Sequence, residues 1–429
     1  MKEKCKLTAL EKGWILYDVG NSAFILMVST LIPIFFNALA ESAGVHEDLY
    51  LSYWGYAGSI ATILVAIIGP VCGAIADRNN KRMVFLISLL VGVIACALLG
   101  AMNGWIAFLA MFILARVGYS ASIVFYDSML PEITSEDRMD KISSMGYAYG
   151  YIGSVIPFIV CLVLVLMCDS FGLTTGSAMT IAFILISLWW IGCSLPLLKK
   201  YRQTAFLAPT KAPVRDAFRQ LWNTLKAARE EKHIFLYLLS FFFFIDGVYT
   251  IIDMATAYGA ALGLDTTGLL LALLWTQFVA FPCSILFGRL SAKHDTGLLI
   301  KVCIAAYTGI TVFGIFLVSQ WQFWVLATLV GMFQGGIQAL SRSYLGKIIP
   351  AERSGEFYGL MDIFGKGASF MGLAMVSVVS QVTAGITVDV GGITLQNENL
   401  AVGSLIILFI IGYILFAKAD ALNKARTTG

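Results

Sequence analysis

Apolar residues fall along this chain in twelve long blocks, near 14–40, 50–76, 83–102, 105–130, 143–168, 176–198, 233–262, 266–291, 298–318, 321–346, 356–382 and 400–418. A helix rises about 1.5 Å per residue, so on the order of 20 apolar residues cross about 30 Å of hydrocarbon. The pattern therefore predicts an all-α membrane protein with twelve transmembrane helices. Basic residues orient them, because positively charged loops stay cytoplasmic. Lys2, Lys4, Lys6 and Lys12 precede the first block, Arg78, Lys81 and Arg82 follow the second, Arg138 and Lys141 the fourth, Lys293 the eighth, and Lys347 and Arg353 the tenth. The alternate loops near 41–49, 103–104, 169–175, 263–265, 319–320 and 383–399 contain no Lys or Arg. Both termini are expected in the cytoplasm.

The blocks divide into two sixes. Residues 1–198 and 233–429 are expected to form two pseudo-symmetric six-helix bundles, joined by a cytoplasmic linker at 199–232. Within the linker, PVRDAFRQLWNTLKAAREE places Val214, Phe218, Leu221, Trp222 and Leu225 on one helical face opposite its Lys and Arg, as in a helix lying on the inner leaflet. A lag of 215 residues aligns SEDRMDKISSMGYAYGYIGS with PAERSGEFYGLMDIFGKGAS, and sets Arg138 on Arg353, Gly150 on Gly365 and Gly73 on Gly288.

Composition agrees: 59% of 429 residues are hydrophobic and 13% charged, with a mean hydropathy of +0.83. A formal net charge of +3 does not suggest nucleic acid as a partner. The eight cysteines form no CxxC pair, and His46, His233 and His294 are scattered. No metal site, catalytic constellation or cofactor is implied, which excludes the enzyme classes built on them.

GAIADRNNKR, residues 73–82, carries the first motif. Gly73 lets a helix end approach its neighbours, Asp77 can accept from a helix N-terminus or an Arg, and Arg78, Lys81 and Arg82 make a tight basic turn. In the short loop after the second span, this pattern resembles the signature of the major facilitator superfamily. Its second-half counterpart, GRLSAKHDTG at 288–297, keeps Gly288, Arg289 and Lys293 but has Ala292 where the Asp would fall. YDVGNSAF at 17–24, FYDSMLPEI at 125–133, DGVYTI at 246–251, GGIQALSRS at 335–343 and EFYGLMDIFGKGASF at 356–370 together look like the vacuole-effluxer-like branch of that superfamily. Its fungal members export amino acids from the vacuole. The resemblance implies alternating-access transport, with efflux of an amino acid or a related small solute. A sugar, nucleoside or lipid-like cargo, a polytopic membrane enzyme or lipid flippase-like protein, and a non-transporting sensor are the alternatives. The expected partners are a small-molecule substrate, protons as coupling ion and the lipid bilayer, and the expected state is a monomer in a bacterial inner membrane.

Polar residues inside the apolar blocks are the site candidates, because a charge in hydrocarbon costs about 2.5–3.5 kcal/mol even on the lenient insertion scale. Arg116 lies eleven residues into the fourth block, about 16 Å deep, and cannot shed its charge. It either anchors a substrate carboxylate, partners a protonatable Asp, or sits in a structural ion pair. Asp246, beside Tyr249 in DGVYTI, and Asp253 two turns on, are buried acids suited to proton exchange. Asp18 and Asn21 share a face of the first helix; Asp18 is read either as an inner-gate pair or as a proton or cargo contact, and Asn21 as a substrate contact. Gln334 and Gln338 either offer neutral contacts to a polar solute or serve helix packing beside Gly335 and Gly336. Asp362 and Lys366 stand at i and i+4, with Lys366 about 15 Å from the cytoplasmic end and open to an ion pair or to cargo. Asp127 and Arg342 correspond at the lag of 215 and are read, with Gly73, Asp77, Arg78, Lys81 and Arg82, as gate residues.

Overall fold

The computed structural model describes residues 6–428 apart from 47–48, 79, 208–230, 384 and 391–392, and a few side chains within helices, that of Lys366 among them. The linker helix expected over 214–225 lies outside the described residues.

Among the described residues, ten helices are long and apolar enough to cross a membrane, and Tyr53–Gly69 and Met371–Val382 are shorter apolar stretches. In chain order the helices are α1 (Ala9–Val28), α2 (Leu31–Ser42), α3 (Tyr50–Arg78), α4 (Lys81–Leu98), α5 (Trp105–Ser128), the short α6 (Leu130–Ile133), α7 (Glu136–Leu166) and α8 (Thr175–Lys200). They continue with α9 (Lys232–Ala261), α10 (Thr266–Leu290), α11 (Thr296–Ile315), α12 (Gln320–Ile348), α13 (Ser354–Val382), α14 (Asn397–Gly403) and α15 (Ile406–Thr428). Their starts follow local chemistry. Thr8 and Glu11 form a reciprocal capping box at α1, while Asn80, Asp265 and Asp295 each accept a backbone N–H in the first turn of α4, α10 and α11.

The first apolar block is broken rather than continuous. Pro33 has no N–H for the Ser29 carbonyl, and Ser29 and Thr30 turn their hydroxyls back onto Ile25 and Leu26 at 3.1 and 2.6 Å, so α1 stops and α2 begins two residues later. In the loop ahead of the last span, Val388–Val390 (β1) pairs antiparallel with Ile393–Leu395 (β2), and α14 follows.

The chain forms two compact units. One holds the described residues of Met1–Glu136, Tyr149–Leu221 and Pro350–Leu360, the other those of Asp137–Ala148, Trp222–Ile349 and Met361–Gly429. In the first unit α1 packs on α8, α3 and α4 on α5, and α4 on α8; in the second, α9 packs on α15, α10 and α11 on α12, and α11 on α15. The same pairings recur in the same order. Each unit also contains one helix tip drawn from the other half of the sequence, 350–360 in the first and 137–148 in the second.

Candidate functional site

In the first unit, aromatic packing fixes α1. Trp14 stacks on Tyr126 at 4.3 Å and its indole donates to the Tyr126 carbonyl at 3.0 Å, while the Tyr17 and Ser122 hydroxyls bond at 2.6 Å. This clamps the helix that carries Asp18 and Asn21. Asn21 is buried, and its amide donates to the Tyr17 carbonyl at 3.1 Å and to Asp18 at 3.3 Å, so its donors are engaged within α1. Asp18 is buried and engaged. Arg116, on α5, is half-buried; its guanidinium lies 6.0 Å from the Tyr119 ring, and among the described residues it makes no ion pair. Asp127 is half-buried near the end of the same helix.

Asp77, fully buried at the end of α3, accepts the backbone N–H groups of Gly355 and Glu356 at 2.9 and 3.0 Å. These are orphan donors at the start of α13, where the helix dipole also favours a carboxylate. Lys81, equally buried, is 3.3 Å from Asp77 and 2.8 Å from Glu132, and donates to the Ser354 hydroxyl at 2.9 Å. Gly73 faces the Gly355 carbonyl so closely that no Cβ fits between α3 and the tip of α13. Behind this lock runs a strap, residues 201–207. Glu132 accepts from the Thr204 and Ala205 amides at 2.7 and 3.3 Å and from the Tyr201 hydroxyl at 3.1 Å. Burial, reinforced by the Glu132 carboxylate, pushes the Tyr201 hydroxyl well above the usual phenol range, which keeps it a donor. Arg78 is half-buried, and Arg82 is exposed with no partner in the lock among the described residues.

The second unit contains a counterpart built from other residues. Asp140, in the tip 137–148, accepts from Thr296 at 2.5 Å, Ser343 at 2.6 Å and Lys347 at 2.7 Å. At the lag of 215, Thr296 stands for Lys81, Ser343 for Ser128, Lys347 for Glu132 and Asp140 for Gly355. The carboxylate that Ala292 does not supply thus comes from the tip, and the cation has moved to the end of α12. Arg342, buried on α12, donates to the Ser143 hydroxyl and carbonyl, both at 2.9 Å, and covers the Tyr147 ring at 4.3 Å. Glu132, Asp140, Thr296 and Lys347 were not singled out by the sequence; the one available signal was that Glu132 and Lys347, of opposite charge, share a repeat position.

Deeper in this unit, Asp246 on α9 is completely buried. Its Oδ1 accepts from the Gly372 N–H at 2.9 Å and the Thr250 hydroxyl at 3.3 Å, and its Oδ2 has no hydrogen-bond partner among the described residues. Beyond Thr250 lies an apolar cavity of about 30 Å³ edged by Met254, Tyr258 and Ile310. Tyr249 is half-buried near Gly365. Gln334 is buried and Gln338 half-buried on α12, where Gly336 admits the Phe287 ring. Asp253, expected to be buried, is instead exposed, about two turns nearer the end of α9 than the packed Asp246, while Asp362 is half-buried; both are engaged. Its expected partner, the Lys366 side chain, lies outside the described residues. Among the described residues the cysteines are free thiols and no His, Cys, Asp or Glu cluster could hold a metal.

Paired units with repeated helix packing, and a Gly-x-x-x-Asp-Arg turn seizing a helix N-terminus, define a transporter of the major facilitator superfamily. The solved human organic anion transporter MFSD10 shares that fold, with a TM-score of 0.70 over 95% of this chain and 98% of its own, at 13% identity. Over residues 9–428 the sequence matches the model described as "Vacuole effluxer Atg22 like", and the chain belongs to that family. It is similar to the uncharacterized MFS-type transporter YxiO of Bacillus subtilis (strain 168), at 36% identity over 96% of this chain and 95% of that one. It is also similar to autophagy-related protein 22 of Coccidioides immitis (strain RS), at 25% identity over 77% of this chain and 68% of that one. It is an integral membrane transporter of small molecules, not an enzyme.

Proposed function

We propose that the chain exports a small polar solute, an amino acid or a related zwitterion or anion, by proton-coupled alternating access. The observation that carries this reading is Arg116, a permanent cation in mid-span with no ion pair among the described residues. Leaving such a charge uncompensated is expensive, and a negatively charged ligand group offsets the cost. Asp246 is the proton carrier: one carboxyl oxygen is satisfied, the other has no partner among the described residues, and the group lies where a proton can be exchanged when water or cargo reaches it. Asp18 and Asp253 are secondary proton sites. Asn21, Tyr249, Gln334, Gln338 and Lys366 complete the cargo contacts.

The two locks form the cytoplasmic gate. Asp77, Lys81 and Gly73, with Arg78, hold the tip of α13; Asp140, Lys347 and Arg342 hold the tip of α7; Asp127 and Asp362 flank them. Both tips must be released for the cytoplasmic end to open. The protein works as a monomer in a bacterial inner membrane, with both termini cytoplasmic, 1–198 and 233–429 as its moving bundles, and the 199–232 linker on the inner leaflet. The family's description as vacuole effluxers supports the direction of transport.

Purified protein screened by thermal shift against amino acids, sugars, nucleosides and organic anions identifies the cargo, because a ligand of the native state raises apparent stability. In liposomes, Arg116→Ala and Asp246→Asn are then expected to lose transport of that cargo while retaining the wild-type melting profile. Transport at the wild-type rate by either folded variant would overturn the assignment of that residue.

A further inference from the structure

At the cytoplasmic face of the first unit, the strap 201–207 and the start of α4 border an open pocket of about 190 Å³, lined by Asn80, Arg82, Tyr201, Arg202, Gln203 and Phe206. That is several times the roughly 30 Å³ one water occupies in the liquid. Arg82 and Arg202 both line it, both are exposed, and neither makes a hydrogen bond or ion pair among the described residues. The neighbouring acids are already committed: Glu132 binds Lys81 and the strap amides, and Asp77 binds Lys81 and the tip of α13. Three of the other lining groups have partners, Asn80 through the Met83 N–H it accepts at 3.1 Å. Tyr201 is held by Glu132, and Gln203 donates to the Ala76 and Ala205 carbonyls at 3.2 and 2.9 Å while accepting the Lys81 N–H at 2.7 Å. Arg82 and Arg202 thus line one open pocket beside the positive end of α4, with no partner for either among the described residues.

We propose that this pocket binds a phosphate group and that its occupant braces the gate. Guanidinium groups recognise phosphate oxygens through paired N–H donors, and Arg82 and Arg202 belong to two different segments, the α3–α4 turn and the strap. A phosphate held by both ties the strap to the turn. The strap in turn bears directly on the lock, since Leu207 donates to the Asp77 carbonyl at 2.8 Å and Gln203 caps Lys81. Occupancy therefore holds Asp77 and Lys81 in the geometry that captures Gly355 and Glu356. The phosphate comes either from an anionic lipid headgroup of the inner leaflet or from a soluble phosphate compound.

Thermal unfolding of the full-length protein distinguishes these sources. Delipidated protein is titrated with sodium phosphate against sodium chloride at matched ionic strength, and protein in phosphatidylcholine nanodiscs is compared with protein in nanodiscs containing phosphatidylglycerol. A saturable rise with phosphate assigns a soluble source, and a rise confined to phosphatidylglycerol assigns the lipid. In Arg82→Gln/Arg202→Gln, apparent affinity is expected to fall at least about tenfold, the loss of charge-assisted hydrogen bonds. Lys293→Gln, exposed elsewhere, keeps the wild-type response. Arg202→Gln alone touches no packed group and guards against a folding artefact. In the wild type, occupancy slows amide hydrogen exchange at Gly355 and Glu356. The absence of a saturable response to either source, or a double variant that titrates like wild type, overturns the site; binding without slower exchange at those amides overturns its coupling to the gate.

Discussion

Replacing Asp140 with Asn tests whether the second lock has the strength its geometry implies. The substitution keeps the shape and removes the charge that Lys347 meets at 2.7 Å, while Lys347 retains the Thr296 hydroxyl at 2.8 Å. Breaking a fully buried ion pair costs about 3–5 kcal/mol. Lys347 is 20% exposed, and water compensates part of the loss, so about 2–3 kcal/mol is expected. At about 1.4 kcal/mol per tenfold, opening of the tip becomes about 30 to 150 times more frequent. Amide hydrogen exchange across 137–148, measured in nanodiscs, reads that opening directly. The reference is Asp295→Asn, which removes an ion pair to Lys424 of similar length, 2.7 Å, but with both side chains 49% exposed, and keeps a side-chain acceptor for the first turn of α11. Such pairs contribute about 0–1 kcal/mol, and exchange there should change by less than about fivefold. Unchanged exchange over 137–148 in Asp140→Asn, or an equal effect from Asp295→Asn at the start of α11, would refute the argument that burial gives this contact its weight.

Combining Asp140→Asn with Lys347→Gln should cost less than the two single changes added, with a coupling of about 1–2 kcal/mol in a double-mutant cycle; strict additivity would separate the two residues. Gly73→Ala places a methyl against the Gly355 carbonyl, so overpacking of about 1–3 kcal/mol should raise exchange over 354–360 without touching 137–148. Gly372→Ala meets Thr250 and the Asp246 carboxyl, and should lower the melting temperature, whereas Asp246→Asn, which keeps an acceptor for the Gly372 N–H, should leave it within about 2 °C. Arg116→Lys should keep part of the transport that Arg116→Ala loses, measured as initial rate in liposomes, because a point charge replaces a two-pronged donor.

The class of fold, ten of the expected spans among the described residues and the first lock were legible in the sequence. Hydrocarbon thickness and the cost of unsatisfied backbone groups leave a membrane chain few choices, so apolar block length fixes the helices nearly alone. The GAIADRNNKR turn was visible because its residues are neighbours in sequence, and the lag of 215 revealed the repeat because both halves keep small and basic residues in step. The break at Ser29–Thr30 was hidden by apolar residues on both sides, although Pro33 marks it. The second lock was hidden for a different reason. Ala292 looked like a missing acid, and the replacement, Asp140, lies about 150 residues away in a stretch that reads as an ordinary polar loop. Likewise a buried Arg, Asp or Asn can be found by composition, but its partner cannot. Composition is a local property that sets which segments enter the bilayer; whether Asn21 is spent on its own helix, or Asp246 and Arg116 find partners among the described residues, depends on which helices meet, and only the tertiary structure decides that.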